Sequence, residues 1–429
     1  MSFTVTKMAP ELLVPAEPTP NCVLPLSFLD RSPCLRYHVE LIFVYDRGIG
    51  PADVIRKAAS KVLVPYYPVA GRIVVNSDTG EPEVVCSGEG AVFVEAYADC
   101  SLGDVKFLDG LPLAMHKDEL LPKESNEDGV IFLVQVTQFK CGGFTVGIKT
   151  MHAIFDGVGA SQFMNAIGEL AKGHQQPTVK PIWSRDAIPN RQANPNPNPN
   201  QLSLPPGALP SLPAFQFQHY IIDISPDYVS QLKDEYTAAT GRKCTEFDVL
   251  AAKVWQCRTR AICFDKDVHV HLSFPVNVRA ELRHLLPPPE GGYYGNCIQP
   301  RYLKARSERV ADAALLFEVV DAIAAAKEDA TAKFWRWMKG DQREERPAAA
   351  DTYTVLNVSD WRRVGIFHVD YGWGKPRSIV PTNDEKHIGS CFLLNSPAPK
   401  KGVRIMTNCI VKEHYEAFDR EMKKMAPLM

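Results

Sequence analysis

The chain has 429 residues, 45% of them hydrophobic and 23% charged, with a formal net charge of −2. This is enough apolar material for two substantial cores, and the near-neutral balance gives no electrostatic case for a nucleic-acid partner or an anionic membrane surface. Eleven cysteines without a Cys-x-x-Cys pair indicate neither a disulfide framework nor a zinc cluster; with no signal-peptide core and no run of membrane-spanning length, a cytoplasmic protein is expected.

Mixed strand and helix patterns run from Val14 to about Gly173. An early strand alternates Arg36, His38 and Glu40 with Tyr37, Val39 and Leu41, and its polar face is expected to meet water. From Phe144 to His152 apolar residues alternate with small or polar ones, as in a strand with unlike faces. Val158, Phe163, Met164, Ile167, Leu170 and Ala171 then recur at helical spacing, closed by Gly173. These elements define a first half, residues 1–175. Residues 176–215 are rich in Pro and Asn; the alternation from Asn194 to Asn200 cannot support a helix and has little apolar surface to bury, so it reads as a crossover linker. The second half, 216–429, opens on a strand Phe217 to Asp223. A helix capped by Thr245 runs through Trp255, and an Ala-rich helical stretch spans roughly Glu308 to Met338. His269 and His271 share one strand face, but no third ligand accompanies them and no metal is expected.

Two motifs carry chemistry. The first, His152-Ala-Ile-Phe-Asp156-Gly157, puts a histidine at a strand's mouth and a carboxylate at a helix start. A histidine there is either a ring satisfied by a backbone carbonyl or a base, its ordinary pKa near 6.5 suiting proton transfer at neutral pH. Asp156, taken alone, is an ordinary helix cap, accepting backbone N–H bonds that the first turn leaves open. The spacing arises by chance in about four of a hundred chains of this composition. The second, Asp370-Tyr371-Gly372-Trp373-Gly374, is a tight turn on its simplest reading, yet arises by chance in roughly one chain in a thousand.

Together the two motifs resemble the signatures of the BAHD family of plant acyl-CoA-dependent acyltransferases, with Tyr371 standing where the family usually has Phe. Supporting stretches are Leu26 to Asp30, Tyr66 to Arg72, Cys86 to Ala91, Cys141 to Phe144, Trp255 with Arg258, and Tyr293 to Asn296, so the resemblance covers nearly the whole chain. Cys141 to Phe144 and Tyr293 to Asn296 are most similar to the branch containing taxane and alcohol acyltransferases. The resemblance implies two similarly built α/β mixed-sheet domains, chloramphenicol acetyltransferase-like, joined by a long crossover loop, with the active site in a channel between them. It implies a monomer with acyl-CoA as co-substrate, no permanently bound cofactor, and a small-molecule alcohol, or in a second reading an amine, as acceptor. A non-catalytic acyl-CoA-binding scaffold is the alternative from another class. His152 would be the general base and Ser359 with Trp361 the oxyanion donors. Asp156 would pair with Arg279, near Asn277 where family members often carry Asp, while Gly157 and the Asp370 to Gly374 turn would act structurally. Lys253 and Arg258 are the candidates for coenzyme A's phosphates. No nucleophile elbow appears, and Cys141 and Ser161 are not placed to be acylated, so direct transfer is expected.

Overall fold

The computed structural model describes residues 3–123, 128–192, 212–286, 290–341 and 349–426. The Asn-Pro alternation and the prolines from Leu204 to Pro210 lie outside the described residues.

Two large mixed sheets organise the chain. The first, of seven strands, runs in space Val5–Lys7, Ala91–Ala98, Phe132–Phe139, Phe144–Met151, His38–Tyr45 and Ser378–Pro381, with Glu11–Leu13 pairing beside Ala91–Ala98. Its strands are antiparallel except for the neighbours Ala91–Ala98 and Phe132–Phe139. The second, of six strands, runs Phe217–Ile224, Val403–Val411, Gly389–Asn395, Val355–Asp360, His269–Asn277 and Ile298–Arg306, with Val355–Asp360 parallel to both neighbours. Three short strands, Cys22–Pro25, Arg72–Val75 and Pro82–Cys86, form a small third sheet.

The strand Phe144–Met151 differs from its expected form. Every residue in it is buried, because it lies inside the sheet with apolar clusters on both faces; its polar positions are accommodated by pairing, Lys149 Nζ lying 3.0 Å from Glu40 Oε1. The strand's apolar side receives the helix Gly157–Ala171, whose Phe163, Met164, Ile167 and Leu170 are buried against the helix Pro51–Val62 and the sheet. Burying each such side chain contributes about 1.5–3 kcal/mol. Two glycines on this helix allow backbone to approach from later in the chain: a Cβ on Gly159 would lie 1.9 Å from the Tyr294 carbonyl oxygen, and one on Gly168 would lie 2.6 Å from that of Asp370.

In the second half, Thr245 caps the helix Glu246–Ile262 in a reciprocal box with Asp248, and Val249, Leu250, Val254 and Trp255 enter the second core. The Ala-rich stretch is not one helix. It forms Ser307–Ala311, Leu316–Glu328 and Ala330–Met338; the first break falls at Asp312, which adopts extended backbone and whose side chain accepts the Ala314 N–H, offering the chain an alternative to helix.

The halves exchange material. Ile366, Val369, Tyr371 and Ile379, from the second half in chain order, belong to the first core, and Ser378–Pro381 adds a strand to the first sheet beside His38–Tyr45. The expected linker is partly structural: Ile182 bridges to Tyr293, and Arg185 is fully buried.

Candidate active site

The chain leaves Phe144–Met151 into a turn, residues 152–156, where the motif lies. His152 N–H donates to the Tyr37 carbonyl at 2.9 Å, and Ile154 N–H donates back to Met151 O at 3.0 Å. Asp156 then starts the helix as its cap, Oδ1 accepting from Val158 N at 3.1 Å and Gly159 N at 2.9 Å.

The same carboxylate meets Arg279. Arg279 Nη1 donates to Asp156 Oδ2 and Nη2 to Oδ1, each at 2.7 Å, and the Cys297 N–H donates to Oδ2 at 3.0 Å. The two sequence readings of Asp156 are therefore compatible: one carboxylate caps a first-half helix and ties it to the second half. Five donors occupy both oxygens, so Asp156 has no lone pair directed at a reacting group. Asn277 holds the Arg279 end, its Oδ1 accepting the Arg279 N–H at 2.9 Å, a role in which Asn and Asp are equivalent.

The His152 pKa is lowered from its ordinary value of 6.5, chiefly by burial; hydrogen bonding to its own carbonyl, the Asp156 charge and the Asn296 amide oppose this without reversing it. The imidazole is thus neutral at pH 7, as a base must be. Tyr37 lies against it, ring centroids 5.4 Å apart and tilted by 56°. Beneath the turn is a layer that the sequence pattern did not assign. Asn296, fully buried, donates through Nδ2 to the His152 carbonyl and to Asp30 Oδ1, both at 2.8 Å. Asp30 is also fully buried, and its Oδ2 lies 2.5 Å from Arg185 Nη1. Arg185 Nη2 donates to the Ile154 carbonyl at 2.8 Å, its guanidinium lying 4.3 Å from the Trp183 ring centre. The signal available was that Asp30 and Asn296 end two of the stretches that carried the family resemblance.

On the second-half side, Ser359 lies next to the end of the strand Val355–Asp360, and Trp361 Nε1 donates to its Oγ at 2.9 Å. With its oxygen accepting from the indole, the Ser359 hydroxyl proton is free to donate elsewhere. Trp361 packs against clusters of both the first sheet's faces and, edge to face, Phe392 at 5.1 Å.

The Asp370 turn is built around its own carboxylate, Oδ1 accepting from Gly372 N and Gly374 N, both at 2.8 Å. Gly372 and Gly374 both have positive φ, 108° and 100°, which explains the residue type at each. Trp373 meets Phe144 edge to face at 5.5 Å, and Tyr371 is buried with its ring 5.4 Å from that of Tyr45. The Asp370 carbonyl sits at Gly168, eleven residues along the helix from Gly157, or about 16 Å of axial rise from the turn holding His152. This motif packs at the far part of the helix, away from the turn that holds His152.

Arg258 is not a phosphate ligand. It is fully buried, Nε donating to the Cys409 carbonyl at 2.8 Å and Nη2 to that of Tyr353 at 2.5 Å, and burial lowers its pKa. Helical spacing could not distinguish an arginine facing the core from one facing solvent. Lys253, on the same helix, is part-buried. The polar face of the early strand does not simply meet water: Glu40 pairs with Lys149 and with Lys117 at 3.2 Å, and His38 Nε2 meets the Val130 carbonyl at 2.9 Å, while Arg36 alone is exposed. Ser161 Oγ donates to Gly157 O at 2.6 Å inside the helix, and Cys141 lies in an exposed turn. His271 is buried with Nδ1 3.0 Å from Thr354 Oγ1, whereas His269 is exposed.

A neutral histidine at the junction of two mixed-sheet halves, with its aspartate consumed in structure, is an arrangement compatible with an acyl-transfer enzyme of the two-half α/β class. The Transferase family profile matches residues 3–425, and the chain belongs to that family, the BAHD acyltransferases. Myricetin 3-O-glucosyl 1,2-rhamnoside 6'-O-caffeoyltransferase AT2 of Crocosmia x crocosmiiflora is 46% identical over 98% of this chain and 99% of its own. The 3'-N-debenzoyl-2'-deoxytaxol N-benzoyltransferase of Taxus canadensis is 32% identical over 99% of this chain and 96% of its own. Among solved structures, vinorine synthase superposes with a TM-score of 0.75 at 20% identity, covering 98% of each chain, which shows the fold. The protein is an acyl-CoA-dependent acyltransferase. Among the described residues no helix is long and apolar enough to cross a membrane.

Proposed function

We propose that the protein moves an aromatic acyl group, of the hydroxycinnamoyl kind, from its coenzyme A thioester to a hydroxyl of a glycosylated plant phenolic. The caffeoyltransferase at 46% identity supports this donor and acceptor class over the amine read from the more distant N-benzoyltransferase. The acceptor O–H gives its proton to His152 as its oxygen attacks the thioester carbonyl carbon. The Ser359 hydroxyl, oriented by Trp361, donates to the oxyanion that forms. Collapse breaks the C–S bond, and the imidazolium returns its proton to the departing thiolate. Lys253 supports coenzyme A's phosphates. The enzyme works as a cytoplasmic monomer without a resident metal.

The observation that carries the reading is the neutral His152 on a turn fixed from both halves. Thiol release from caffeoyl-, benzoyl- and acetyl-CoA, measured against flavonoid glycosides, simple alcohols and amines with mass spectrometry of products, tests it. Ester formation on a sugar hydroxyl is expected; amide products alone would overturn the acceptor assignment.

A further inference from the structure

We infer that Asn296 is a positioning residue for His152, accepting a hydrogen bond from Nδ1–H, and that the buried Asp30–Arg185 pair fixes the Asn296 amide in the orientation that allows it. The inference rests on His152 being the base.

The orientation of an amide is ordinarily a matter of assignment. Here the neighbours decide it. The two groups met by Nδ2 are the Asp30 carboxylate, ion-paired with Arg185, and the His152 backbone carbonyl. Neither can donate, so the amide atom between them must be the nitrogen. The Asn296 backbone N–H, donating to the same Asp30 oxygen at 2.9 Å, locks the residue at a second point. Oδ1 therefore faces away from Asp30.

Among the described residues, Asn296 Oδ1 is buried without a hydrogen-bond partner, and so is His152 Nδ1. One is an acceptor lacking a donor. The other is a ring nitrogen that meets only its own carbonyl and the Asn296 amide among the groups that favour its proton by hydrogen bonding, on a residue Asn296 already grips by its carbonyl. Leaving both unpaired forfeits the hydration of two buried polar atoms without return. A single hydrogen bond between them satisfies both at once, and the Asn296 side chain is among the influences that sustain the His152 pKa against burial. With the proton held on Nδ1, the lone pair lies on Nε2, the nitrogen that takes the acceptor's proton. Asp156 cannot do this work, since its oxygens are filled by five donors. Arg185, donating to the Ile154 carbonyl, holds the same turn two residues on.

The test combines kinetics with 15N NMR of histidine-labelled protein, the His152→Ala spectrum identifying the His152 signals. In the wild type at neutral pH the Nδ1–H form is expected; finding the Nε2–H form there overturns the inference without any variant. Asn296→Ala should lower kcat by about ten- to a hundredfold, the usual cost of losing a partner that orients a reactive histidine. KM for acyl-CoA should stay within about twofold, since no binding group is removed. The acid limb of kcat/KM should move to lower pH, because a bond that raises the His152 pKa is lost, and the NMR signals should become those of mixed tautomers. Asp30→Asn, which leaves Asn296 in place but lets its amide face either way, should reproduce the mixture. A folded Asn296→Ala with unchanged kcat and unmixed tautomer overturns the proposal. Full activity in His152→Ala would instead overturn the base assignment, while the wild-type tautomer would still report on Asn296.

Discussion

Asp156 caps a helix and pairs with an arginine, and substitutions can separate the two roles. Asp156→Asn keeps a side chain equivalent as an N-cap but withdraws the charge from Arg279, whose side chain is only 18% exposed. Breaking such a pair from one side costs about 3–5 kcal/mol. Arg279 keeps its bond to the Gly295 carbonyl at 2.8 Å, which places the expected loss near the lower end. Asp156→Ala removes the cap as well and should cost about 1 kcal/mol more. Arg279→Ala leaves a carboxylate 1% exposed but still served by three backbone N–H groups, so about 2 kcal/mol is expected. In the double variant Asp156→Asn, Arg279→Ala the second loss is largely absent, giving a coupling of about 2 kcal/mol. Urea midpoints at constant slope measure the stabilities, and kcat should fall in parallel because His152 lies on the same turn. Losses additive within about 0.5 kcal/mol would show that the two side chains do not interact, and wild-type stability in Asp156→Asn would leave Asp156 a cap and nothing more.

His152→Ala should lower kcat by about a hundredfold to ten-thousandfold while acyl-CoA still binds, measured by turnover and by equilibrium binding. Because burial lowers the His152 pKa, the deprotonated base persists below pH 6.5, so kcat/KM should stay flat through that value and fall only at more acid pH; a limb centred above it would refute the neutral-base reading. Ser359→Ala should cost about a hundredfold to a thousandfold in kcat with little change in KM. Lys253→Ala should raise KM for acyl-CoA, whereas Arg258→Met should lower the melting temperature and leave that KM alone, since Arg258 holds two buried carbonyls. Incubation with acyl-CoA alone, followed by acid quench and intact-mass measurement, should show no acyl adduct.

What was legible in the sequence follows from range. The strand and helix around His152 announce themselves by period, since each contact that shapes them repeats within a few residues. The Asp370 turn announces itself because two glycines with positive φ and a carboxylate bonding its own backbone are local necessities. Arg279 became legible only through the family resemblance, for nothing local distinguishes it from Arg283. Asp30, Arg185 and Asn296 come from three distant stretches, and Arg185 lies in a segment whose prolines and asparagines read as linker. A charge in such a segment is expected in water, because an isolated buried arginine is prohibitive. It becomes tolerable only when Asp30, Trp183 and the Ile154 carbonyl converge on it, and convergence across the chain has no period. The same logic explains Arg258, which helical spacing placed correctly on its helix but could not place on a face. His152 sits on a turn, where backbone is least determined by its own sequence. The groups that hold that turn come from elsewhere: Tyr37 and Arg185 at its backbone, and from the second half Asn296 at the His152 carbonyl with Arg279 and Cys297 at Asp156. The His152 turn is thus fixed only when both halves are folded and in contact, so on the proposed mechanism the geometry of the base depends on that contact.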